Sequence, residues 1–495
     1  MKHRAVKPGQ HHPRSKTYGG QYGRLFRQLS PLVLSDDKVN TLVDSLSKLS
    51  ERGTGGNQSE IPAGYTYFGQ FVDHDITFDP VSFAVRNRDP DSLINVRTPS
   101  LDLDSLYGGG PDLDTYFYTE ASELESNLFI LGNPHSTKEL DLFRRKASGY
   151  GNSFQPALAI IPDPRNDEHL IISQMHLAFQ LLHNKISANL SDLEAIEGNL
   201  SPFESGFSRA RRILLWHYQW LIVNDYLPRI CSHSVLRRIL GKTWSGGKNI
   251  PPTVDLRYYD YKFNPYIPLE FSGAAFRFGH SMVRSRYQVN ETLDSTPVPI
   301  FTPSGSHSLT GLRVLRSRWS IQWNLFLDDR TGIQRIQFSN LIDPSLAIGL
   351  GHVPKLPAGS ESLSLIEANI KRGRQLRLPS GQAVARLIDV SESDIIEPTK
   401  GLVEDPLWLY VLKEAKADES GNKLGTVGST IVAETLIGLI LADKFSYVNM
   451  FPGWKPFLFK KPTKSKKKIS DYSLYDLFLW GDLPMTKKDI ENLSL

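Results

Sequence analysis

The spacing of apolar residues constrains this chain more than any other feature of its sequence. Between residues 172 and 186 they recur at intervals of 3, 4, 3 and 4, which places them on one face of an α-helix. Residues 213–227 repeat this spacing, and Pro228 is expected to end that helix. Further helical patterns cover residues 37–49, 362–375, 380–388, 405–416 and 428–445, whereas strand signals are few and short. The sequence therefore predicts a mainly α fold with long connecting loops.

The domain organisation follows from length and from the lack of linkers. A chain of 495 residues would suit about three domains at roughly 150 residues each, but no linker separates them. We expect one large helical domain at residues 29–460, with a basic arm at 1–28 and a basic tail at 461–495. Residues 80–165 are rich in Gly, Pro, Asn and Asp, and a long irregular region of this kind is often functional.

The charge pattern limits the partners that the chain can have. The net charge of +4 is too small to indicate a nucleic-acid-binding protein. Basic residues nevertheless cluster at both ends, as in KKPTKSKKK at residues 460–468. These ends are either solvated tails or contacts for an anionic surface.

Cysteine content and hydropathy exclude several classes of protein. The single cysteine, Cys231, rules out an intrachain disulfide and a haem attached through CxxCH. The basic N-terminus is not followed by an apolar run, so we expect no signal peptide. The most apolar stretch, residues 431–442, is short and contains Glu434, which predicts a buried helix and no transmembrane segment. The compartment stays open between the cytoplasm and non-classical secretion.

A histidine between two aspartates marks the segment GQFVDHDITFDP at residues 69–80. Burial of Asp73, His74 and Asp75 would be costly unless each charge had a partner. The segment is either a solvated acidic loop or a site where His74 acts as a general base and Asp75 binds a hard cation.

Oxygen-bearing residues alternate in RTPSLDLDSLYGGG at residues 97–110. Together with Asp75, the side chains of Thr98, Ser100, Asp102 and Asp104 could supply the six to eight oxygens that calcium prefers. An EF-hand is a poor match, because leucines stand where that loop needs oxygen ligands. The alternative is an ordinary Asp-rich turn.

Three further segments combine a charged or polar residue with a predicted helix. Arg165 precedes the first strong helix, where the helix dipole favours an acid, so this arginine needs another partner. FRFGH at residues 276–280 places Arg277 and His280 among aromatic and small residues, and Asn369 begins a basic helix. Taken singly, the three segments have the alternative interpretations of an exposed arginine, a core histidine and a solvated helix face.

The order and local spacing of the five segments resemble the animal haem peroxidases of the peroxidase–cyclooxygenase superfamily. GQFVDHD resembles the distal-histidine motif of that family, TPSLDLDSLYG its calcium loop, and RNDE at residues 165–168 its distal-arginine segment. FRFGH resembles its proximal-histidine motif, and ANIKRGR at residues 368–374 resembles its proximal-asparagine helix. The resemblance spans residues 25–460 and implies a helical haem-peroxidase domain that binds haem b and calcium.

On the proximal side, the resemblance implies that His280 ligates the haem iron. Asn369 would accept a hydrogen bond from the other ring nitrogen of His280, which fixes the tautomer and orients the ring. Arg277 would pair with a haem propionate, because a guanidinium fork suits a carboxylate.

On the distal side, the resemblance assigns three residues to the reaction with hydrogen peroxide. His74 would accept a proton and return it to the leaving oxygen, and Arg165 would stabilise the charge that develops. Gln70 would hold the distal water or a small anion. A ferryl intermediate would then oxidise a small reducing substrate, such as bromide, iodide, thiocyanate or a phenolic donor.

Two carboxylates match the positions that form ester bonds to haem methyl groups in the animal enzymes. Asp73 and Glu168 are both present, so up to two esters are expected. His169 stands where one mammalian enzyme has a methionine, so a sulfonium link is not expected. This departure and the lack of disulfides resemble the bacterial branch of the superfamily.

Two rival functions remain open at this stage. A fatty-acid dioxygenase of the same superfamily would resemble this chain on both haem faces, but it carries a tyrosine three residues before the proximal histidine. Arg277 occupies that position here. A haem-fold binding protein without turnover would predict the loss of His74, Arg165 or Gln70, and all three are present.

Overall fold

The computed structural model has the mainly α architecture that the sequence predicts. It describes residues 22–52, 58–78, 93, 95–120, 127–132, 140–145, 157–197, 204–242, 244, 247, 250–251, 254–260, 265–293, 296–302, 308–315, 317–329, 335–351, 364–460 and 471–494. The helices are α1 (Asp36–Arg52), α2 (Gly64–Ile76), α3 (Asp104–Tyr107), α4 (Leu170–Ala188), α5 (Leu190–Glu197), α6 (Gly206–Leu221), α7 (Leu227–Ile230), α8 (His233–Leu240), α9 (Leu269–Gly273), α10 (Gly279–Met282), α11 (Leu365–Gln375), α12 (Gly381–Leu387), α13 (Leu407–Glu419), α14 (Thr426–Ala442), α15 (Tyr447–Met450), α16 (Leu474–Trp480) and α17 (Lys487–Ser494).

The strands are short and pair only in twos among the described residues. They are β1 (Tyr22–Gly23), β2 (Gln58–Pro62), β3 (Ile267–Pro268), β4 (Arg286–Tyr287), β5 (Val298–Pro299) and β6 (Phe338–Asn340). β1 pairs in parallel with β3, whereas β2 with β6 and β4 with β5 are antiparallel. These pairs tie distant segments together but form no layer of their own.

The centre of the core is built by α2, α4 and α6. Phe71 of α2 stacks on Phe179 of α4 with ring centroids 4.7 Å apart, and Tyr218 of α6 meets Phe179 edge-on at 6.0 Å. The apolar stretch at residues 172–186 lies in α4 and the one that starts at residue 213 lies in α6, and both helices are buried over nearly their whole length. The faces that pack are the faces that the 3.6-residue period predicts.

The apolar stretch near residue 431 is a buried helix, as predicted. α14 is buried from Val427 to Ile440. Its one acid, Glu434, accepts hydrogen bonds from Arg238 at 2.9 Å and from the backbone of Tyr258 at 2.7 Å. Across the described ranges, no helix combines the length and the apolar character needed to cross a bilayer.

The helix that begins with α6 does not end at Pro228. A π-helical turn, Ile222–Tyr226, follows α6, and α7 continues through the proline to Ile230. Pro228 lies in the first turn of α7, directly after the π-helical turn. Asp225 in the π turn accepts hydrogen bonds from the Tyr65 hydroxyl at 2.6 Å and from the Leu474 amide at 2.9 Å.

Both predicted tails contribute to the core where the structure describes them. Tyr22, Leu25 and Phe26 are buried, although they fall within the expected arm at residues 1–28. Within the expected tail at 461–495, α16 and α17 bury Leu477 and Ile490. Residues 22–28 and 471–494 therefore belong to the folded body, while 1–21 and 461–470 lie outside the described residues.

Candidate active site

Helix α2 carries several of the predicted site residues within two turns. Gln70, Asp73 and His74 are spaced by three and four residues, so they share one face of the helix. Asp75 follows directly and points about 100° away around the helix. The stacked contact with α4 fixes the rotation of α2 and thereby the directions of all four side chains.

His74 is a buried, neutral imidazole. Its Nδ1 lies 2.8 Å from Oδ1 of Asn166. Burial lowers the pKa of His74 to about 4, and the nearby positive charge of Arg165 lowers it further. The ring therefore has a free lone pair at near-neutral pH, which a general base requires.

Arg165 lies in a 3₁₀ turn, Pro164–Asp167, whose first amide is capped by Asp163. Its Nε and Nη2 donate to the Asp163 carboxylate at 3.0 and 2.7 Å, and Nη2 also reaches the His74 carbonyl at 3.2 Å. Burial acts to lower the pKa of Arg165, but Asp163 outweighs it and holds this pKa above its usual value. The guanidinium is thus permanently charged and held against the backbone of α2.

Gln70 and His169 contact each other across the site. The Nδ1 of His169 accepts the Ile172 amide at 3.3 Å, so the proton of the neutral ring lies on Nε2. That nitrogen donates to Oε1 of Gln70 at 2.9 Å. Burial lowers the pKa of His169 to about 3, which keeps this ring neutral.

His280 and Asn369 meet although 89 residues separate them in the sequence. His280 lies in α10, Asn369 is buried in α11, and Nδ2 of the Asn369 side chain is 3.0 Å from Nδ1 of His280. Burial lowers the pKa of His280 to about 3, and Arg277 lowers it further. Since no hydrogen bond in the described part of the chain uses Nε2 of His280, that nitrogen is available as a ligand to a metal.

Two carboxylates, those of Asp73 and Glu168, lie within reach of the charges of Arg165 and Arg277. Oδ1 of Asp73 is buried and has no hydrogen bond among the described residues. Burial acts to raise the pKa of Asp73, but the charge of Arg277 and then that of His74 and Arg165 keep it lowered. Glu168 has accessible surface, yet burial raises its carboxyl pKa to about 7.

We infer that Glu168 borders an internal cavity, because its carboxylate has accessible surface and is nevertheless desolvated. Arg277 faces the same space, because its charge acts on both Asp73 and Glu168, and its Nε is fixed by the Ser272 carbonyl at 2.9 Å. A cavity lined by two neutral imidazoles, two carboxylates and two guanidinium groups suits a flat, polar-edged cofactor with a central metal. Haem fits this set of donors.

A second cluster lies on the other side of α2. Carboxylate oxygens of Asp75, Asp102 and Asp104 lie within 4.8 Å of one another, and Oδ1 of both Asp75 and Asp104 accepts no hydrogen bond. Burial, followed by the charge of Asp102, raises the pKa of Asp75 and brings that of Asp104 to about 8. Such mutual repulsion is relieved by a hard cation, so the cluster fits calcium.

The backbone shapes this cluster. Leu103 has a φ of 58°, a left-handed conformation that aims the carboxylates on either side of it towards the same point. The Thr98 hydroxyl donates to Asp102 at 3.0 Å. No hydrogen bond in the described part of the chain joins Ser100 to the set, so Ser100 is the one predicted ligand without a contact there.

Known proteins resemble this chain in sequence and in fold. The sequence model of the family described as animal haem peroxidase matches residues 81–394. The chain belongs to the animal haem peroxidase family. Haem is the cofactor of that family, which agrees with the donors around the cavity.

Relatives of this haem peroxidase family member are about a quarter identical to it over the aligned residues. The chorion peroxidase of Drosophila melanogaster is 25% identical over 305 residues, covering 58% of this chain and 34% of that protein. Heme peroxidase 2 of Caenorhabditis elegans is 22% identical over 336 residues, covering 62% and 43%. The chain thus spans less than half the length of these two relatives.

Solved structures agree with the fold of this haem peroxidase family member. Peroxidase A from Dictyostelium discoideum has a TM-score of 0.58 at 15% identity, covering 88% of this chain and 91% of that one. A fatty acid α-dioxygenase of Arabidopsis thaliana has a TM-score of 0.53 at 14% identity, covering 94% and 76%. At these identities the likeness shows the shared fold alone.

Sequence reasoning missed a buried bridge between the two clusters of this haem peroxidase family member. Arg97 donates to Asp163 through Nε at 3.1 Å and Nη2 at 2.8 Å, and its Nη1 lies 3.5 Å from Asp104. Asp163 in turn holds Arg165. Ion pairs and hydrogen bonds through Arg97 and Asp163 therefore connect the cluster of Asp75, Asp102 and Asp104 to Arg165. The only sequence signal was an aspartate before Pro164, which is common at a helix start.

The sequence did not indicate a role for two further residues near His74. Asn166 sits between the predicted Arg165 and Glu168, and His176 lies in the middle of α4. Because α4 is buried around most of its circumference, its sequence does not distinguish a functional histidine from one that only packs in the core. Burial lowers the pKa of His176 to about 3, so this ring is also neutral.

Proposed function

We propose that this chain reduces hydrogen peroxide at a haem iron held by His280 and oxidises a small donor such as bromide, iodide, thiocyanate or a phenol. One observation supports this above all. Two neutral histidines, His74 and His280, each have Nδ1 in contact with an asparagine side chain, and no hydrogen bond among the described residues uses Nε2 of either ring. One is suited to move a proton and the other to bind iron.

Haem, when bound, supplies the electron transfer that splits the O–O bond and later oxidises the donor. The distal residues handle protons and charge. Nε2 of His74 accepts the proton of one peroxide oxygen and donates it to the other, so that water leaves. The Nη1 of Arg165 is not used by any hydrogen bond within the described residues, and it remains to stabilise the developing negative charge.

On the proximal side, Asn369 determines which nitrogen of His280 faces the metal. The structure has Nδ2 of Asn369 beside Nδ1 of His280. A half-turn of the amide, whose two ends are assigned from the hydrogen-bond network, brings its oxygen there, so that Asn369 accepts the Nδ1 proton and leaves the lone pair on Nε2. The unpaired Nη groups of Arg277 would meet a propionate, while Nε stays bound to the Ser272 carbonyl.

Calcium is proposed for the cluster of Asp75, Asp102 and Asp104 with the Thr98 hydroxyl. Chelation should lower the thermal midpoint and the peroxide reaction rate together, because Asp75 adjoins His74 in α2. A cation present at 100 times its Kd contributes about 2.7 kcal/mol of stability. Asp102→Ala should mimic chelation, whereas Asp112→Ala, at an exposed acid in the following turn, should not. Purified protein without bound cation and with an unchanged melting curve in chelator would refute the site.

The covalent state of the haem gives a further prediction. Asp73 and Glu168 both border the cavity, so we expect up to two ester bonds after peroxide turnover and no sulfonium bond, because His169 has no thioether. Acid–acetone extraction followed by mass spectrometry of the peptides tests this. The Asp73→Asn and Glu168→Gln variants should each lose one bond. Haem that extracts fully from the unmodified protein after repeated turnover would contradict the proposal.

The donor preference follows from the same chemistry. Without the positive charge of a sulfonium the iron is a weaker oxidant, so bromide, iodide and thiocyanate should be oxidised faster than chloride. A steady-state screen of halides, thiocyanate and phenols on haem-loaded protein measures this. Fast chloride oxidation at neutral pH would contradict it.

A fatty-acid dioxygenase is the second candidate function, supported by the structural likeness to the α-dioxygenases. Position 277, three residues before His280, is an arginine whose Nε is fixed by a backbone carbonyl. An arginine cannot form the tyrosyl radical that abstracts hydrogen in such enzymes. Oxygen uptake with palmitate, measured beside the peroxidase assay, separates the two functions.

A further inference from the structure

A polar chain leads from the distal histidine into the core of the protein. Nδ1 of His74 lies 2.8 Å from Oδ1 of Asn166, and Nδ2 of Asn166 lies 3.1 Å from Nδ1 of His176. Asn166 and His176 have no accessible surface, and His74 is 5% exposed. The peroxidase reaction proposed above assigns no task to Asn166 or His176.

The two hydrogen bonds of Asn166 depend on each other. An amide has one end that accepts and one that donates, and each neutral imidazole carries one N–H. With Oδ1 towards His74, the Nδ1 of His74 carries the proton and its Nε2 has a lone pair. With the amide reversed, His74 would carry its proton on Nε2 and could not accept another there. The orientation of Asn166 therefore decides whether His74 works as a base.

The charge that forms during the reaction favours one of the two orientations. When Nε2 of His74 takes a proton, both ring nitrogens carry hydrogen, and only an acceptor can face Nδ1.

His176 is placed to hold the amide in the productive orientation. In that orientation its Nδ1 accepts from Asn166, and its own proton lies on Nε2, which is buried without a hydrogen-bond partner among the described residues. The ring is fixed edge-on to Phe71 of α2, with centroids 6.2 Å apart and planes at 78°. His176 therefore cannot turn away from Asn166 without disturbing the packing of α2 on α4.

We propose that Asn166 is a positioning residue that keeps His74 as a proton acceptor at Nε2, and that His176 holds the Asn166 amide in the orientation this needs. The inference rests on the proposed peroxidase function. It adds a buried support to the distal base, reaching from the 3₁₀ turn of Arg165 to the middle of α4.

Substitutions of similar shape separate the hydrogen bond from packing. Asn166→Leu removes the acceptor, whereas Asn166→Asp keeps an oxygen beside Nδ1. We expect the leucine variant to react with hydrogen peroxide at least about tenfold more slowly, which is a fraction of the 10²–10⁴-fold contribution of acid–base catalysis. The aspartate variant should stay within about threefold of the unmodified protein. His176→Phe should follow the leucine variant, and His176→Gln, which keeps an acceptor, should recover much of the rate. Stopped-flow mixing of haem-loaded protein with peroxide measures each rate.

Two ligands that bind the iron without turnover give an independent readout. Hydrogen cyanide must give up a proton as it binds, so its association with the leucine variant should slow by a similar factor. Carbon monoxide binding to the reduced protein needs no proton transfer and should not change. His183→Phe, at another buried histidine of α4 whose Nδ1 contacts the Tyr107 hydroxyl at 2.9 Å, is the matched control and should leave both rates unchanged.

Each outcome has a definite meaning. Equal peroxide rates in the leucine, aspartate and unmodified proteins would overturn the positioning role and leave the proposed function intact. Slowing of carbon monoxide and cyanide alike would also overturn it, because it would indicate a general distortion. If Asn166→Leu does not fold, the pair His176→Phe and His176→Gln decides, and equal rates for these two would overturn the proposal. An unmodified protein that does not react with peroxide would refute the proposed function and the inference together.

Discussion

Replacement of His280 by alanine should remove most of the haem from the protein or shift its Soret band strongly. The expectation follows from Nε2 of His280, which no hydrogen bond in the described part of the chain uses, while Asn369 contacts Nδ1. Loss of this ligand would remove the bond that retains the iron. The haem-to-protein ratio after reconstitution and the absorption spectrum measure the effect.

A second buried histidine serves as the control for this variant. His217 contacts the Ile213 carbonyl at 2.7 Å and accepts the amides of Phe457 and Leu458, so its role is confined to the C-terminal packing. His217→Gln should keep its haem even where it melts earlier. Full retention of haem with an unchanged high-spin spectrum in His280→Ala would show that another residue ligates the iron.

The second large effect is expected for His74→Ala. This variant should bind haem normally but form its first oxidised intermediate at least about a hundredfold more slowly, the usual loss on removal of a general acid–base group. His233→Ala, at a partly exposed histidine in α8, should react at the normal rate. A stopped-flow rate near that of the unmodified protein would mean that another group moves the proton.

The pH dependence of the same step is also expected to reflect His74. Because burial and the charge of Arg165 hold its pKa at about 4, His74 is deprotonated and able to accept a proton throughout pH 5–8. The rate should therefore be flat over that window and fall only as the pH drops through about 4. An inflection near the ordinary histidine pKa of about 6.5 would contradict the burial of this ring.

The helices were predictable because a core-facing helix repeats apolar residues at its own period. α4 and α14 lie within a few residues of the predicted limits. The continuation through Pro228 was not predictable, because a π turn changes the register by a single residue and leaves the apolar pattern intact. The packing of residues 471–494 escaped notice for a different reason, since the basic run before them dominates the local composition.

The candidate site also has a part that the sequence predicts and a part that it does not. Residue types such as those of His74 and Asp75 stand out in the sequence, whereas the contacts that decide their chemistry join segments far apart. His74 and Asn166 are separated by 92 residues, and Arg97 and Asp163 by 66. Local patterns carry no information on such pairs, so only a family resemblance could suggest them, and it suggested neither Asn166 nor Asp163.

Helix α2 imposes a limit on how this protein can change its length. Gln70, Asp73 and His74 face the cavity and Asp75 faces the acidic cluster, all within one and a half turns. One residue inserted between Gln70 and Asp75 would rotate the later side chains by about 100° and advance them by about 1.5 Å. This single insertion would displace the residues of both the cavity and the acidic cluster, so neither would be kept. Variation in this segment is therefore confined to substitution, and an insertion scan of the chain should find α2 among its least tolerant parts.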